Sequence, residues 1–188
     1  KKYYYKEDGT QATYWYKVDG NYYWFGTDGI MKTYWQKIYN KYYWLGSDGA
    51  MRTGWQTVYG KKYYLGNAND GAMKTGWQTV DGKKYYLGNA SDGAMKTGWQ
   101  TVDGKKYYLG NDFAMKTYWQ SVDGNYYWFG TDGVMKTYWQ KVYNKYYWLG
   151  SDGAMRTGWQ KVYGKYYWLG HSNDGAMKTG WQKVYGKY

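Results

Sequence analysis

The side chains with the most chemical potential in this 188-residue sequence are its aromatic rings, which make up 25% of the residues. Thirty are tyrosines and fourteen are tryptophans. Nine of the tryptophans follow one another at intervals of 20 or 22 residues: Trp15, Trp35, Trp55, Trp77, Trp99, Trp119, Trp139, Trp159 and Trp181. Ring faces attract cations and stack on flat ligand surfaces, but regularly spaced rings also pack on one another. The spacing therefore indicates either repeated non-covalent binding sites or repeated structural contacts.

The remaining residues give little support for covalent or metal chemistry. The chain has no cysteine, which excludes disulfides, thiolate nucleophiles and thiolate metal sites. Its single histidine, His171, lies in a loop insertion, and no carboxylate pair recurs in the apolar surroundings that acid-base catalysis needs. Each loop carries one aspartate, which is too few oxygen ligands for a calcium β-roll. We therefore expect a non-catalytic segment with no metal and no cofactor.

One repeat, residues 75–96, shows which element positions the rings. A β-branched and aromatic run over residues 75–80 precedes Asp81-Gly82, a pair suited to a type I′ turn, and residues 83–87 return as a second strand. The sequence thus predicts a β-hairpin and disfavours helices, since glycine recurs every few residues and no window has helical periodicity. The other turn positions hold Gly or Asn second: Asp19-Gly20, Tyr39-Asn40, Tyr59-Gly60, Asp103-Gly104, Asp123-Gly124, Tyr143-Asn144, Tyr163-Gly164 and Tyr185-Gly186.

The short period predicts an array in which each hairpin shares its apolar face with the next. We predict an all-β fold, a β-solenoid of tandem β-hairpin repeats of 20–22 residues, as a single repeat array over residues 1–188 with eight full units and partial ends. Two lengths of connecting loop account for the two intervals. A longer period lies over the first: residues 13–61 recur almost unchanged at 117–165, a displacement of 104 residues or five hairpins. The chain begins and ends within a hairpin, as a piece of a longer protein would.

The composition predicts that aromatic side chains form the core. Val, Ile, Leu and Phe together number 20 of 188 residues and the net charge is +12, values that ordinarily indicate disorder. A buried Trp or Tyr, however, removes roughly 150 to 250 Å² from water. We therefore expect an aromatic core to hold the stacked hairpins together, with methionines filling gaps between rings.

The repeat resembles a known family. It has a Gly-Trp pair, a hairpin turn, an aromatic return strand and a Gly-x-Met-x-Thr-Gly-Trp segment, represented by Thr53-Gly54-Trp55, Tyr63-Tyr64-Leu65 and Gly71-Ala72-Met73-Lys74-Thr75-Gly76-Trp77. These motifs are similar to the choline-binding, or cell-wall-binding, repeats of Gram-positive surface proteins and phage lysins, and more distantly to clostridial toxin and glucan-binding repeats. The resemblance implies a left-handed solenoid with about three hairpins per turn and with ligand sites between successive hairpins.

The resemblance also implies which residues form those sites. Each complete cage combines the repeat tryptophan and the first return-strand aromatic of one hairpin with the second return-strand aromatic of the next. A quaternary ammonium has no hydrogen to donate, so ring faces suit it. The implied cages are Trp15, Tyr22 and Tyr43; Trp35, Tyr42 and Tyr63; Trp119, Tyr126 and Tyr147; and Trp139, Tyr146 and Tyr167. The methionines expected nearby are Met31, Met51, Met135 and Met155.

Two departures from the family pattern bear on these cages. In three hairpins a lysine replaces the first return-strand aromatic, so that a ring is lost and a positive charge is added; these are Lys62, Lys84 and Lys106. We expect those three joints not to bind choline. In the hairpins with complete cages, a tyrosine replaces the glycine before the repeat tryptophan and adds a large ring beside the cage: Tyr14, Tyr34, Tyr118 and Tyr138.

The positive charge indicates the class of macromolecular partner. Lys and Arg total 26 against 14 acids, and rows of such charges along an array attract anionic polymers such as teichoic acid. We favour this, and a role for lysine in protecting hairpin edges, over nucleic-acid recognition. No apolar run reaches the ~20 residues of a transmembrane helix, so no membrane insertion is expected.

These observations predict an extracellular, non-catalytic module of the bacterial cell surface that binds choline or related cell-wall ligands in aromatic cages. One alternative is a structural, filament-forming or engineered consensus protein whose units associate end to end without a small-molecule ligand. Another is a carbohydrate-binding protein whose rings stack on sugar faces, with Gln56 and Gln78 as hydrogen-bonding partners.

Overall fold

In the computed structural model, which describes residues 1–184, sixteen β-strands pair into eight two-stranded antiparallel sheets. Each sheet joins two consecutive strands, so the predicted tandem hairpins are confirmed; we number them hairpins 1 to 8 in chain order. None of the residues 1–184 is helical. The strands are β1 Tyr14–Val18, β2 Asn21–Phe25, β3 Tyr34–Ile38, β4 Lys41–Leu45, β5 Trp55–Val58, β6 Lys61–Tyr64, β7 Trp77–Val80, β8 Lys83–Tyr86, β9 Gly98–Val102, β10 Lys105–Leu109, β11 Tyr118–Val122, β12 Asn125–Phe129, β13 Tyr138–Val142, β14 Lys145–Leu149, β15 Trp159–Val162 and β16 Lys165–Trp168.

The turns have the predicted conformation. In hairpin 1, Val18 pairs with Asn21, so Asp19 and Gly20 alone form the turn, with φ angles of 46° and 83°. Two positive φ angles are what a type I′ turn requires, and they match the twist of the flanking strands. In all eight described turns the first residue has φ between 46° and 50°. The ninth predicted turn, Tyr185-Gly186, lies outside the described residues.

The loops between hairpins are held by their aspartates. Asp48 accepts a hydrogen bond from the Ala50 backbone N–H at 3.0 Å and forms an ion pair with Arg52 at 2.8 Å. The same spacing of four residues joins an aspartate to a lysine or arginine in seven further loops. In these eight loops the aspartate is thus paired with the cation four residues further on.

The chain divides into two compact units, Lys1–Lys96 and Thr97–Tyr188. Within each unit, a loop fastens its own hairpin to the one before. The Met51 N–H donates to the Tyr22 carbonyl at 2.8 Å in the first unit, and the Met155 N–H donates to the Tyr126 carbonyl at 2.8 Å in the second. These bonds join the return strand of one hairpin to the loop that follows the next, which is the connection that a hairpin solenoid needs. The handedness, the number of hairpins per turn and a single array over residues 1–188 stay predictions.

The core differs from the expectation. Apart from Phe129, the largest fully buried side chains are leucines, at positions 45, 65, 87, 109, 149 and 169. These residues lie at the end of a return strand or directly after it, and Leu45 packs with the buried Ile38, Tyr43 and Ala72. Most Trp and Tyr side chains stay partly exposed around this aliphatic centre, because large rings are seldom completely enclosed in a thin array. The prediction of an aromatic core was wrong; the rings form its walls.

Within residues 1–184 there is no helix with the length and apolar character needed to cross a membrane.

Candidate ligand site between successive hairpins

The strand register decides which rings share a face. In hairpin 1, Trp15 lies opposite Trp24 and Lys17 lies opposite Tyr22. Residues two apart on a strand point to the same side, so Trp15 and Tyr22 project from one face of the hairpin and Tyr23 from the other. The residue equivalent to Tyr23 in hairpin 2 is Tyr43. The face of hairpin 1 that carries Trp15 thus meets the opposite face of hairpin 2, and we call the space between two successive hairpins a joint.

The joint between hairpins 1 and 2 contains a cleft of about 390 Å³ with three aromatic walls. The Trp15 and Tyr43 rings meet edge to face, with centroids 5.0 Å apart and planes at 68°, and Tyr22 is the third ring. Tyr43 is only 8% exposed, while Tyr22 is 36% exposed, so the cleft has a rigid floor and an accessible side. The other lining residues are Lys41, Met51, Asn69 and Asp70.

A second cleft of about 210 Å³ repeats this arrangement between hairpins 6 and 7. Trp119 and Tyr147 have centroids 5.0 Å apart and planes at 67°, and Tyr126 is again the third ring. The other lining residues are Met155, Asn173 and Asp174. The structure therefore brings together the rings of both cages, and the strands of hairpins 1 and 6 pair in the same register.

The two other implied cages have the same ring contact across the joint. Trp35 meets Tyr63 at 5.1 Å, and Trp139 meets Tyr167 at 5.0 Å. Their third rings, Tyr42 and Tyr146, occupy the strand position of Tyr22 and Tyr126.

The methionines are distributed differently from the expectation. Met51 and Met155 line the first two clefts, but Met135 lines a joint that carries Lys106, and the Met31 N–H bonds to the Lys2 carbonyl. The joints of Tyr42 and Tyr146 instead receive Met73 and Met177, whose N–H groups bond to those tyrosine carbonyls at 2.8 and 2.7 Å. The methionine of a cage follows its second hairpin, because that loop bonds back to the return strand of the first hairpin.

The second residue of each return strand, which we call the slot residue, separates two kinds of joint. Tyrosine joints carry Tyr22, Tyr42, Tyr126 or Tyr146 there, and lysine joints carry Lys62 or Lys106; the slot residue of hairpin 4 is Lys84. In the joint of hairpins 5 and 6, Trp99 and Tyr127 keep the ring contact at 4.9 Å, while Lys106 replaces the third ring in a cleft of about 260 Å³. In hairpin 4, the Lys84 ammonium lies 4.9 Å from the Trp77 ring.

The tyrosines that replace glycine before the repeat tryptophan lie outside the clefts. Tyr14 packs on Trp24 at 5.6 Å and is absent from the lining of the Trp15 cleft. Its φ is 61°, and the equivalent tyrosines have φ of 62° or 63°, a left-handed conformation that disfavours any residue with a Cβ atom. These rings thicken the outer wall and leave the cage accessible.

Electrostatics around the clefts involve the tyrosine floors and the loop aspartates. Burial raises the pKa of the Tyr43 hydroxyl, and the negative charge of Asp70 raises it further. The same two causes raise the pKa of Tyr147, with Asp174 as its neighbour. The floors of these two cages therefore stay neutral at ordinary pH, each beside a carboxylate close enough to act on it.

Comparison with known proteins agrees with this geometry. A family described as a putative cell wall binding repeat matches residues 13–31, 33–51, 53–73, 117–135 and 137–155, and a choline-binding repeat matches residues 74–112. The chain belongs to the choline-binding repeat family. No curated protein sequence matches it.

Solved structures of choline-binding proteins share the fold. Choline binding protein F from Streptococcus pneumoniae is 35% identical with a TM-score of 0.83, over 94% of this chain and 61% of that one. The choline-binding domain of CbpL from Streptococcus pneumoniae is 30% identical with a TM-score of 0.62, over 89% and 87%. CbpJ from Streptococcus pneumoniae TIGR4 is 29% identical with a TM-score of 0.72, over 98% and 86%. The chain thus spans about three-fifths of the length of choline binding protein F.

Sequence reasoning missed the loop residues of these choline-binding repeats. Asn69, Asp70, Asn173 and Asp174 line clefts formed by hairpins that lie earlier in the chain, whereas the sequence suggests only a turn role for the aspartates. The available signal is the two-residue extension of their loops. The glutamines proposed as sugar ligands have another role, since the Gln56 and Gln78 side-chain amides donate to the Thr53 and Thr75 carbonyls at 2.8 Å.

The remaining candidate groups for chemistry are dispersed. His171 packs edge-on against Trp168 at 5.4 Å. Over residues 1–184, no group of three or more His, Cys, Asp or Glu side chains is placed to hold a metal ion.

Proposed function

We propose that the tyrosine joints bind the quaternary ammonium group of choline. The observation that supports this most strongly is the three-ringed cleft of Trp15, Tyr22 and Tyr43, which recurs as Trp119, Tyr126 and Tyr147 with the same ring separation and an interplanar angle within a degree. The contact between two rings also occurs in a lysine joint, so the third ring, Tyr22 or Tyr126, is what distinguishes the tyrosine clefts as candidate sites.

The physical basis is the attraction of a cation to ring faces. A quaternary ammonium is only weakly hydrated at its methyl groups, and each ring contact contributes roughly 0.5 to 2 kcal/mol. Three rings and a polarisable thioether surround such a group on several sides. Clefts of about 210 and 390 Å³ suit a small head group better than a large ligand.

We further propose a non-catalytic module that attaches its protein to the bacterial surface. The cleft walls offer ring faces, a thioether, an amide and a carboxylate, which is a set suited to holding a cation. The partner would be a choline-bearing teichoic acid outside the cell, whose phosphate backbone is complementary to the net charge of +12. One of the similar structures is choline binding protein F in the presence of a peptidoglycan analogue.

Repetition would convert weak sites into firm attachment. Once one cage holds a polymer-borne choline, the others meet neighbouring cholines at high effective concentration, so the overall affinity exceeds that of a single site.

Calorimetric titration of the full chain with choline tests this proposal. Tyr22→Lys should remove one cage without unfolding the hairpin, because lysine occupies the same slot in hairpins 3, 4 and 5. We expect four sites in the unaltered chain, one fewer in Tyr22→Lys, and no saturable binding when Tyr42, Tyr126 and Tyr146 are also replaced by lysine. The matched control is Tyr59→Lys, the same change on a turn residue that is 79% exposed, and it should keep all four sites.

Choline binding that survives all four substitutions would reject the cages as the site. Absence of binding to the unaltered chain would reject the proposed ligand.

A further inference from the structure

Loop length and slot residue vary together along the chain. A joint lies between two successive hairpins, and we compare it with the loop that follows the third hairpin in the series. In the three clefts described above, this loop supplies lining residues. The tyrosine joints of Tyr22, Tyr42 and Tyr126 correspond in this count to long loops, residues 66–71, 88–93 and 170–175. Within the second unit, the lysine joint of Lys106 corresponds to a short loop, residues 150–153.

The structure shows what a long loop brings to a tyrosine joint. Asn69 and Asp70 lie in the cleft of Trp15, formed by hairpins 1 and 2, although they follow hairpin 3. Asn173 and Asp174 follow hairpin 8 and lie in the cleft of Trp119, formed by hairpins 6 and 7. Three successive hairpins therefore contribute to each of these sites.

The extension also changes the task of the aspartate. In short loops Asp48 and Asp152 each accept the backbone N–H two residues ahead at 3.0 Å. In the long loop of hairpin 3 that task passes to Asn67, whose side-chain oxygen accepts the Asn69 N–H at 3.1 Å. Asp70 keeps its ion pair with Lys74, and its second oxygen is released from the turn.

Both long-loop aspartates are also less exposed than their short-loop counterparts. The Asp70 and Asp174 side chains are 31% and 38% exposed, against 56% for Asp48 and Asp152. A less exposed carboxylate is screened less by water, so its field acts more strongly on whatever occupies the cleft.

On the basis of the proposed function, we infer that the long loops form a fourth wall of the tyrosine joints and that Asp70 and Asp174 are specificity-determining residues. They favour a cationic head group over a neutral group of the same shape.

The lysine joints support this inference from the opposite side. Asp152 lines the cleft of Trp99 together with Lys106, so this cleft already contains an ammonium group of the chain. In a tyrosine joint a ring takes the place of that ammonium, and the cleft has room for a cation from the ligand. Two other ammonium groups lie near the first tyrosine cleft: Lys41 lines it, and Lys17 lies 5.2 Å from the Tyr22 ring. A carboxylate offsets their repulsion of a cationic ligand.

The test uses the full chain with Tyr42→Lys and Tyr146→Lys, so that the Trp15 and Trp119 cages alone remain. In this background Asp70→Asn and Asp174→Asn are combined, and affinity is measured by calorimetry for choline and for 3,3-dimethylbutan-1-ol, its neutral carbon isostere. We expect choline to bind about two- to fivefold more weakly, the range of a partly exposed ion pair, while the alcohol binds unchanged. The matched control Asp48→Asn, in a short loop, should change neither affinity, and Lys74→Gln should not weaken choline binding.

A second variant replaces residues 67–70 by Ser-Asp, the sequence of residues 47–48 in a short loop that the chain already folds. It should lower the choline affinity of the Trp15 cage and leave the near-ultraviolet circular dichroism of the rings unchanged. Unchanged choline affinity in both variants, or an equal loss for choline and the alcohol, would overturn the inference while the choline cages stand. Failure of the unaltered chain to bind choline would overturn both.

Discussion

Tyrosine joints and lysine joints share one frame and differ in what they leave open. Trp15 meets Tyr43 in a tyrosine joint as Trp99 meets Tyr127 in a lysine joint, at 5.0 and 4.9 Å. Both joints also receive a methionine and an aspartate. The ring pair is thus the structural contact of the array, and the slot residue decides whether the remaining space has a third ring or an internal cation. Packing and binding therefore reside in different residues of the same joint.

The largest expected effect is the creation of a site in a lysine joint. Lys106→Tyr adds a third ring to a cleft that already has Trp99, Tyr127 and Met135, and we expect calorimetry to show one additional choline site. It should be weaker than the Trp15 cage because its loop is of the short form. Lys105→Tyr makes the same substitution one residue away, on the opposite face of the strand, and should add none. An unchanged number of choline sites in Lys106→Tyr would show that the slot residue does not decide whether a joint binds choline.

The second prediction concerns the frame that both kinds of joint share. Leu45 is completely buried beside Ile38, Tyr43 and Ala72, so Leu45→Ala should lower the free energy of unfolding by about 2 to 5 kcal/mol. Chemical denaturation measures this loss, and Leu65→Ala beside a lysine slot should produce a loss of similar size. If Leu45→Ala lowers the free energy of unfolding and Leu65→Ala does not, the tyrosine and lysine joints do not share the same packing.

A smaller effect is expected for the outer tyrosines. Tyr14→Gly relieves a left-handed conformation that costs roughly 1 to 2 kcal/mol, but it loses the Trp24 contact, worth about 0.5 to 1.5 kcal/mol. The two terms nearly cancel, so the denaturation midpoint should move little and choline affinity should not change. Loss of a choline site in this variant would show that the outer ring belongs to the cage.

The smallest effect is a pH dependence at the short loops. The Arg52 hydrogen bond lowers the pKa of Asp48 below its usual value. The folded state thus favours the ionised form, and the resulting stability is present above the unfolded pKa and lost as the pH falls through the folded pKa. Between about pH 5 and pH 2, the unaltered chain should lose a few tenths of a kcal/mol more of its free energy of unfolding than Asp48→Asn does. The difference is small because the loop is exposed. If the free energy of unfolding depends on pH in the same way in both proteins, the Asp48–Arg52 pair contributes nothing to stability.

The sequence predicts the hairpins well because their determinants are local. Asp81-Gly82 and its equivalents specify the turn, and the Tyr85-Tyr86-Leu87 run that follows it indicates the return strand. The sequence does not predict the aliphatic core, because six leucines among 188 residues look negligible until the structure shows that each is completely buried. The composition of the cages is predictable only in part. Trp15, Tyr22 and Tyr43 follow from the family pattern, whereas Met73 and Asp70 reach their joints through contacts between hairpins.

A crystal structure of the full chain with bound choline would test the central claim most directly. We predict that each tyrosine joint holds one choline between its three rings, with the loop carboxylate of Asp70 or Asp174 beside it in the joints of Trp15 and Trp119, and that the lysine joints hold none. Choline bound in the cleft of Trp99 and Lys106, or absent from between Trp15, Tyr22 and Tyr43, would contradict the account.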